Sequence, residues 1–285
     1  MNTSAVPIEV LNIYNKALDY SNKGDVNTAL NEYKRAINIC PNFVEAYNNI
    51  GEIYSRTGKN DLAISTYERA LRIDRNPRLL LNLGVEYYNH MDYKSALNYF
   101  KESLSRKPDF IEGNFYSGMA SFNLKDQRMA EKYFKNVVQI ENRHLKSNYF
   151  LSYIYYDWKE YEKTLYHLNN IKDIADDKLF LNKYLGFCYF HLGQYGDALD
   201  YLTTAVKSSP HYLKFKDYLE SLTIENKLKE IGDIDATILE MEKQMMNKKP
   251  AARELTKLSL LYTYKGEFKK AEDILVTYKN ANKIV

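Results

Sequence analysis

Small residues recur along the chain at Ala29, Ala63, Ala96, Ala130, Thr164, Ala198, Thr237 and Ala271, in steps of 34, 33, 34, 34, 34, 39 and 34 residues. A second series, Ala17, Gly51, Gly84, Gly118, Ser152, Gly186, Glu225 and Ser259, runs twelve residues ahead of the first throughout. Two series locked at one spacing mean that a single structural unit is copied eight times and stacked, which excludes an ordinary globular core.

The chemistry between the small positions identifies the unit. Tyr20, Tyr54, Tyr87, Tyr155, Tyr189 and Tyr262 follow the second series by three residues. Tyr33, Tyr67, Phe100, Phe134, Leu168, Leu202, Met241 and Leu275 follow the first by four. Offsets of three and four are helical, as in Ile50, Ile53, Tyr54 and in Ile64, Tyr67, Leu71, so each unit reads as two helices. A small residue on each marks where the two backbones approach, and large side chains fill the space beside it. Gly24, Gly58, Gly193, Gly232 and Gly266 fall seven residues after the second series, where a helix ends in a left-handed residue. Pro41, Pro108 and Pro210 stop the second helices. No segment argues for a sheet.

With these residues in place the chain resembles the tetratricopeptide repeat (TPR) family. The clearest copies are 46–74, with Tyr47, Ile50, Gly51, Tyr54, Ala63, Tyr67 and Ala70, and 182–210, with Leu185, Gly186, Tyr189, Ala198, Ala205 and Pro210. The resemblance implies an all-α fold, an α-α superhelix of antiparallel helix pairs. The expected organisation is a leader at 1–9, repeats one to six at 10–212, an insertion or hinge at 213–217, and a degenerate seventh repeat with the eighth at 218–285. Glu225, Thr237 and Gln244 replace small residues in the seventh.

Composition bounds the function. Apolar residues at 45% with 27% charged describe a folded, soluble chain, and a net charge of +3 with interspersed signs does not favour nucleic acid. Cys40 and Cys188 lie on distant repeats and are expected to remain thiols, which fits a reducing compartment. Residues 1–7 lack a basic segment followed by an apolar run and no stretch is long enough for a bilayer, so the expected setting is cytoplasmic, with no membrane contact. His90, His144, His167, His191 and His211 have no metal-ligand spacing, and Asp176 with Asp177 reads as a cap for the helix beginning near Leu179. Neither a phosphate-binding glycine loop nor a nucleophile elbow is present. The chain is expected to have no enzymatic activity, no metal and no cofactor.

Function is then expected on a surface. The resemblance implies that first helices line an inner face, with places two, five, six, nine and twelve of each repeat turned toward a bound peptide. Asn15, Asn49 and Asn82 at the sixth place form a row of amides able to hold a peptide backbone, or serve packing. Repeats three to six place Tyr88, Phe115, Tyr116, Met119, Phe122, Tyr149, Phe150, Tyr153, Tyr156, Tyr184, Phe187 and Phe190 inward. These suit an apolar or helical segment of a partner protein; alternatively, the rings pack on one another, with Phe122, Phe150 and Phe190 packed and the tyrosines exposed as a mixed case. Tyr14, Leu18, Asn48, Glu52 and Arg78 do not rebuild the carboxylate clamp of co-chaperones in this family. Leu11, Tyr14 and Leu18 form an extra apolar stripe on the first helix, suited to a partner, a second copy, or a fold-back of the leader. The leading expectation is a scaffold or adaptor that binds another protein; the alternatives are a structural subunit with a self-packed groove and the regulatory arm of a separately encoded enzyme.

Overall fold

The computed structural model describes residues 6–194, 197, 198, 200, 201, 204, 205, 233–247, 250–265 and 267–281, and its regular structure is all helical. The chain begins with α1 (Ile8–Asn22), α2 (Val26–Ile39), α3 (Val44–Arg56), α4 (Asn60–Ile73), α5 (Pro77–Asn89), α6 (Tyr93–Arg106), α7 (Ile111–Asn123) and α8 (Gln127–Ile140). It continues with α9 (Leu145–Asp157), α10 (Tyr161–Ile171), α11 (Lys178–His191), α12 (Ile234–Asn247), α13 (Ala252–Lys265) and α14 (Phe268–Ala281). Two compact units divide the chain, Met1–Ser147 and Asn148–Val285. The insertion at 213–217, Glu225, Gly232, Gly266, Pro210 and Leu202 lie outside the described residues.

Both small series are buried. Ala29, Ala63, Ala96, Ala130, Thr164, Ala198 and Ala271 are closed to solvent on the second helices, while Thr237 is half-buried, as its degenerate repeat suggests. The reason glycine stands on the first helices is visible in the first unit. A Cβ on Gly84 would lie 2.5 Å from the Phe100 ring, one on Gly118 2.6 Å from the Phe134 ring, and one on Gly51 would collide with Tyr67. Each aromatic ring lies flat across the partner helix's backbone, and the pair is always sixteen residues apart. In the fifth repeat Ser152 takes the glycine's place and Leu168 replaces the ring, so volume is conserved across the contact. The first repeat accommodates Ala17 beside Tyr33.

The turn inside each repeat is equally regular. Gly24, Gly58, Met91, Lys125, Lys159 and Gly193 all have positive φ, between 61° and 80°. After each, the N–H of Asp25, Lys59, Asp92, Asp126, Glu160 or Gln194 donates to a carbonyl five residues back at 2.8–3.0 Å, closing the helix end. Asp25, Asp92 and Asp126 then cap the following helix, accepting from Thr28, Ser95 and Met129 N–H. Asp177 caps α11 in the same way, accepting from Phe180 N–H at 2.8 Å. Met91, Lys125 and Lys159 adopt the left-handed conformation without glycine's freedom, so tertiary packing imposes the turn.

In the first unit α3, α5 and α7 touch one another directly, forming a continuous row of first helices. Clefts open instead between second helices: one is lined from α2, α3 and α4, the next from α4, α5 and α6. Close first helices and separated second helices give that unit an inner and an outer side. In the second unit, Ile238, Leu258, Leu261, Tyr262 and Ala271 form a core joining α12, α13 and α14, with Met241 and Met245 packed against it and Met246 exposed.

Two outcomes follow. Gly84→Ala lowers unfolding stability by about 1–3 kcal/mol in denaturant titration, because the Phe100 ring has no space to yield. Lys125→Gly raises stability by about 1 kcal/mol, read as an increase in Tm, by relieving a left-handed non-glycine residue.

Candidate functional site

The asparagine row sits on the inner side of the first unit, where its amides meet the chain's own side chains. Asn49 Nδ2 donates to the hydroxyls of Tyr14 and Tyr33 at 3.0 and 3.1 Å. Burial pushes the Tyr33 hydroxyl up to about 12, so it remains a neutral acceptor and donor. Asn82 Nδ2 donates to Asn48 Oδ1 at 2.8 Å, and Asn48 Nδ2 to Glu52 Oε1 at 2.7 Å. Asn15 is exposed. A peptide backbone would have to compete with these bonds at Asn49 and Asn82.

Tyr88, Phe115, Tyr116, Met119 and Phe122 follow in the same unit, all half-buried. Their rings touch edge to face: Tyr88 with Tyr116 at 6.1 Å and Phe115 with Tyr116 at 5.6 Å between centroids. Tyr116 also leans on the core ring Phe100 at 5.8 Å, and Asn123 Nδ2 donates to the Tyr88 hydroxyl at 2.9 Å. The rings therefore hold one another in place while keeping an open edge, a rigid apolar strip that loses little rotamer entropy on docking.

The second unit treats its rings differently. Tyr153 on α9 is 41% exposed and Tyr149, Phe150 and Phe190 are half-buried. Tyr156, Tyr184 and Phe187 are buried instead of lining a surface. Tyr156 meets Tyr184 at 5.0 Å and Tyr161 at 5.8 Å, and Phe180 lies 4.4 Å from Tyr184. The mixed arrangement expected from sequence, tyrosines open and phenylalanines packed, holds at Tyr153 but not at Tyr156 and Tyr184, which the chain's own rings cover, while Phe150 and Phe190 keep part of their surface.

The stripe on α1 is also divided. Leu11 is 39% exposed, but Tyr14 packs against Tyr33 and Phe43, and Leu18 is half-buried on the same core. Two buried charged residues were not singled out by pattern. Glu86 on α5 is 2% exposed with Oε2 unpartnered, in the place held by Ile53, Ala120, Ile154 and Cys188 in other repeats, and that mismatch was its available signal. Lys183 on α11 is 3% exposed, its ammonium 4.7 Å from the Tyr184 ring centroid. Burial pushes its amine down to about 7, opposed by Asp177.

Cys40 and Cys188 are free thiols. His167 stacks on Tyr155 and bonds Asn148 Oδ1 at 2.9 Å, and His191 stacks on Tyr161. Among the described residues no group of three or more histidine, cysteine, aspartate or glutamate side chains is placed to hold a metal, and no helix is long and apolar enough to cross a membrane.

Comparison with known proteins agrees with the helix pairs. A family model described as TPR repeat matches residues 17–58, and one described as tetratricopeptide repeat matches 44–77 and 77–110. Photosystem I assembly protein Ycf3 of Prochlorococcus marinus (strain MIT 9301) is 36% identical over 78 residues, 26% of this chain and 45% of its own. The matched segments span less than half the length of the curated relatives. Among solved structures, PilF of Pseudomonas aeruginosa superposes with a TM-score of 0.63 at 18% identity, covering 75% of this chain and 97% of its own. YrrB, a TPR protein with an unusual peptide-binding site, gives a TM-score of 0.51 at 25% identity over 59% of this chain and 88% of its own.

Lys183 gives this region a pH signature. The folded chain releases a proton near pH 7 that the unfolded chain keeps up to about 10.5, so stability rises with pH between these values and is lowest below pH 7, where the buried amine must carry charge. Lys183→Met raises Tm at pH 7 and flattens the rise between pH 7 and 9, measured by circular dichroism melting at several pH values.

Proposed function

We propose that this chain, a tetratricopeptide repeat protein, is a protein-interaction scaffold that holds a segment of a partner against the inner face of its first unit. The observation that carries this reading is the strip of Tyr88, Phe115, Tyr116, Met119 and Phe122, half-open and braced ring against ring. Apolar side chains of a short helix or extended peptide would lie along the strip, while the Tyr88 and Tyr116 hydroxyls orient its polar groups. YrrB's description as a TPR protein with a peptide-binding site supports the same reading by analogy.

For the second unit a different role is better supported. Tyr156, Tyr184 and Phe187 are consumed by internal packing, so their contribution is to stiffness, and Tyr153 is the ring with most surface for contact.

A peptide selected against the full chain from a displayed library is expected to lose at least tenfold affinity for Tyr88→Ala with Tyr116→Ala, with helicity and Tm nearly unchanged. Selected peptides that bind this double variant as well as the wild type would place the interaction elsewhere.

A further inference from the structure

Repeats three, five and six each stack two flat rings between their first and second helices. Tyr87 stacks on Tyr99 at 5.4 Å and 13°, Tyr155 on His167 at 5.4 Å and 12°, and Tyr189 on Tyr201 at 5.4 Å and 7°. The members of each pair are twelve residues apart, the first on the first helix and the second on the second helix. Repeat two keeps the first ring as Tyr54 but has Thr66 where the second belongs. Among the described residues no ring stacks on Tyr54, and a cavity of about 500 Å³ opens there between α2 and α4, with α3 as its floor.

The rim of that cavity is cationic. Lys34 Nζ lies 5.9 Å from the Tyr54 ring centroid and the Arg69 guanidinium carbon 5.1 Å from that of Tyr47. No acidic residue lines the cavity, and neither Lys34 nor Arg69 forms an ion pair among the described residues. Ile37 and Ile50 complete apolar walls. A missing ring, a cleft with apolar walls wide enough to admit one, and two uncompensated cations beside it describe the complement of an aromatic ring that carries an anion. Lys34 lies beside Tyr54, the ring on which a ligand's ring would stack, so an anion joined to that ligand ring directly or by a short link comes within its reach. A nucleotide, which separates base from phosphate by a sugar, carries its anion farther from the stacked ring.

We infer that the outer cleft of repeat two is a second binding site, distinct from the inner face, whose ligand is an aryl phosphate such as a phosphorylated tyrosine side chain of a partner protein. The ligand's ring takes the place that Tyr99 occupies against Tyr87, and its phosphate is held between Lys34 and Arg69.

Isothermal titration of the full chain tests this with phenyl phosphate, a phosphotyrosine peptide, the same peptide unphosphorylated, and adenosine monophosphate. Saturable binding of phenyl phosphate and of the phosphopeptide is expected, with none by the unphosphorylated peptide and weaker binding of the nucleotide. Tighter binding of the phosphopeptide than of phenyl phosphate assigns the cleft to a phosphorylated protein; equal binding assigns it to a free aryl phosphate. Thr66→Tyr supplies the missing ring from within and abolishes binding, and Lys34→Gln with Arg69→Gln, both at exposed positions, weakens it at least tenfold with helicity retained. Absence of saturable binding by both phosphorylated probes, binding undiminished in Thr66→Tyr, or tighter binding of the nucleotide than of phenyl phosphate would overturn the inference.

Discussion

When a ring lies across a backbone that has no side chain beneath it, the distance between two helices is set by the thickness of the ring. Tyr67 over Gly51, Phe100 over Gly84 and Phe134 over Gly118 repeat that contact three times in succession in the first unit. Because interiors are close-packed, the helices of a pair can neither separate without opening a void nor approach further without a clash. A solenoid has no central core to impose order from outside, so its regularity has to be carried within each unit and between neighbours. The small-residue and ring contact supplies the within-repeat part.

What the first unit presents to a partner follows from this spacing. First helices that touch one another place the side chains of successive repeats side by side, which is how Tyr88 and Tyr116, from different repeats, come to brace each other. Second helices that stand apart leave grooves, and in repeats three, five and six aromatic rings stack across the two helices of the repeat. Where Thr66 stands in the ring's place, the Tyr54 face is left without a stacking partner among the described residues, and the larger of the two described clefts lies beside it. Inner strip and outer cleft are therefore two results of one packing rule.

The fold was legible because its determinants are local and repeated: spacing alone places Ala63, Gly51 and Tyr67 in one contact, and the structure brings them together. The left-handed turns were legible at Gly24, Gly58 and Gly193, and the same positions at Met91, Lys125 and Lys159 follow the register although their residue types do not announce it. Exposure of the inward rings was not legible. Tyr153 and Tyr156 stand three residues apart on α9, yet one is 41% exposed and the other 6%, because Tyr156 meets Tyr161, Tyr184 and His191 from elements that follow it in the chain. Likewise the amides of Asn49 and Asn82 are spent on neighbours one repeat away, at Tyr14 and Asn48. Side chains at matching places share a direction, but their neighbours decide what surface remains.

The central claim, that a small residue and a ring are one coupled unit of packing, is tested most directly by a double-mutant cycle at Gly118 and Phe134, using Gly118→Ala, Phe134→Leu and both together in chemical denaturation. The double variant, which reproduces the compensation of Ser152 with Leu168, is predicted to be more stable than the sum of the single changes by about 1 kcal/mol or more. Additive single changes would contradict the account, since the two positions would then contribute independently to stability.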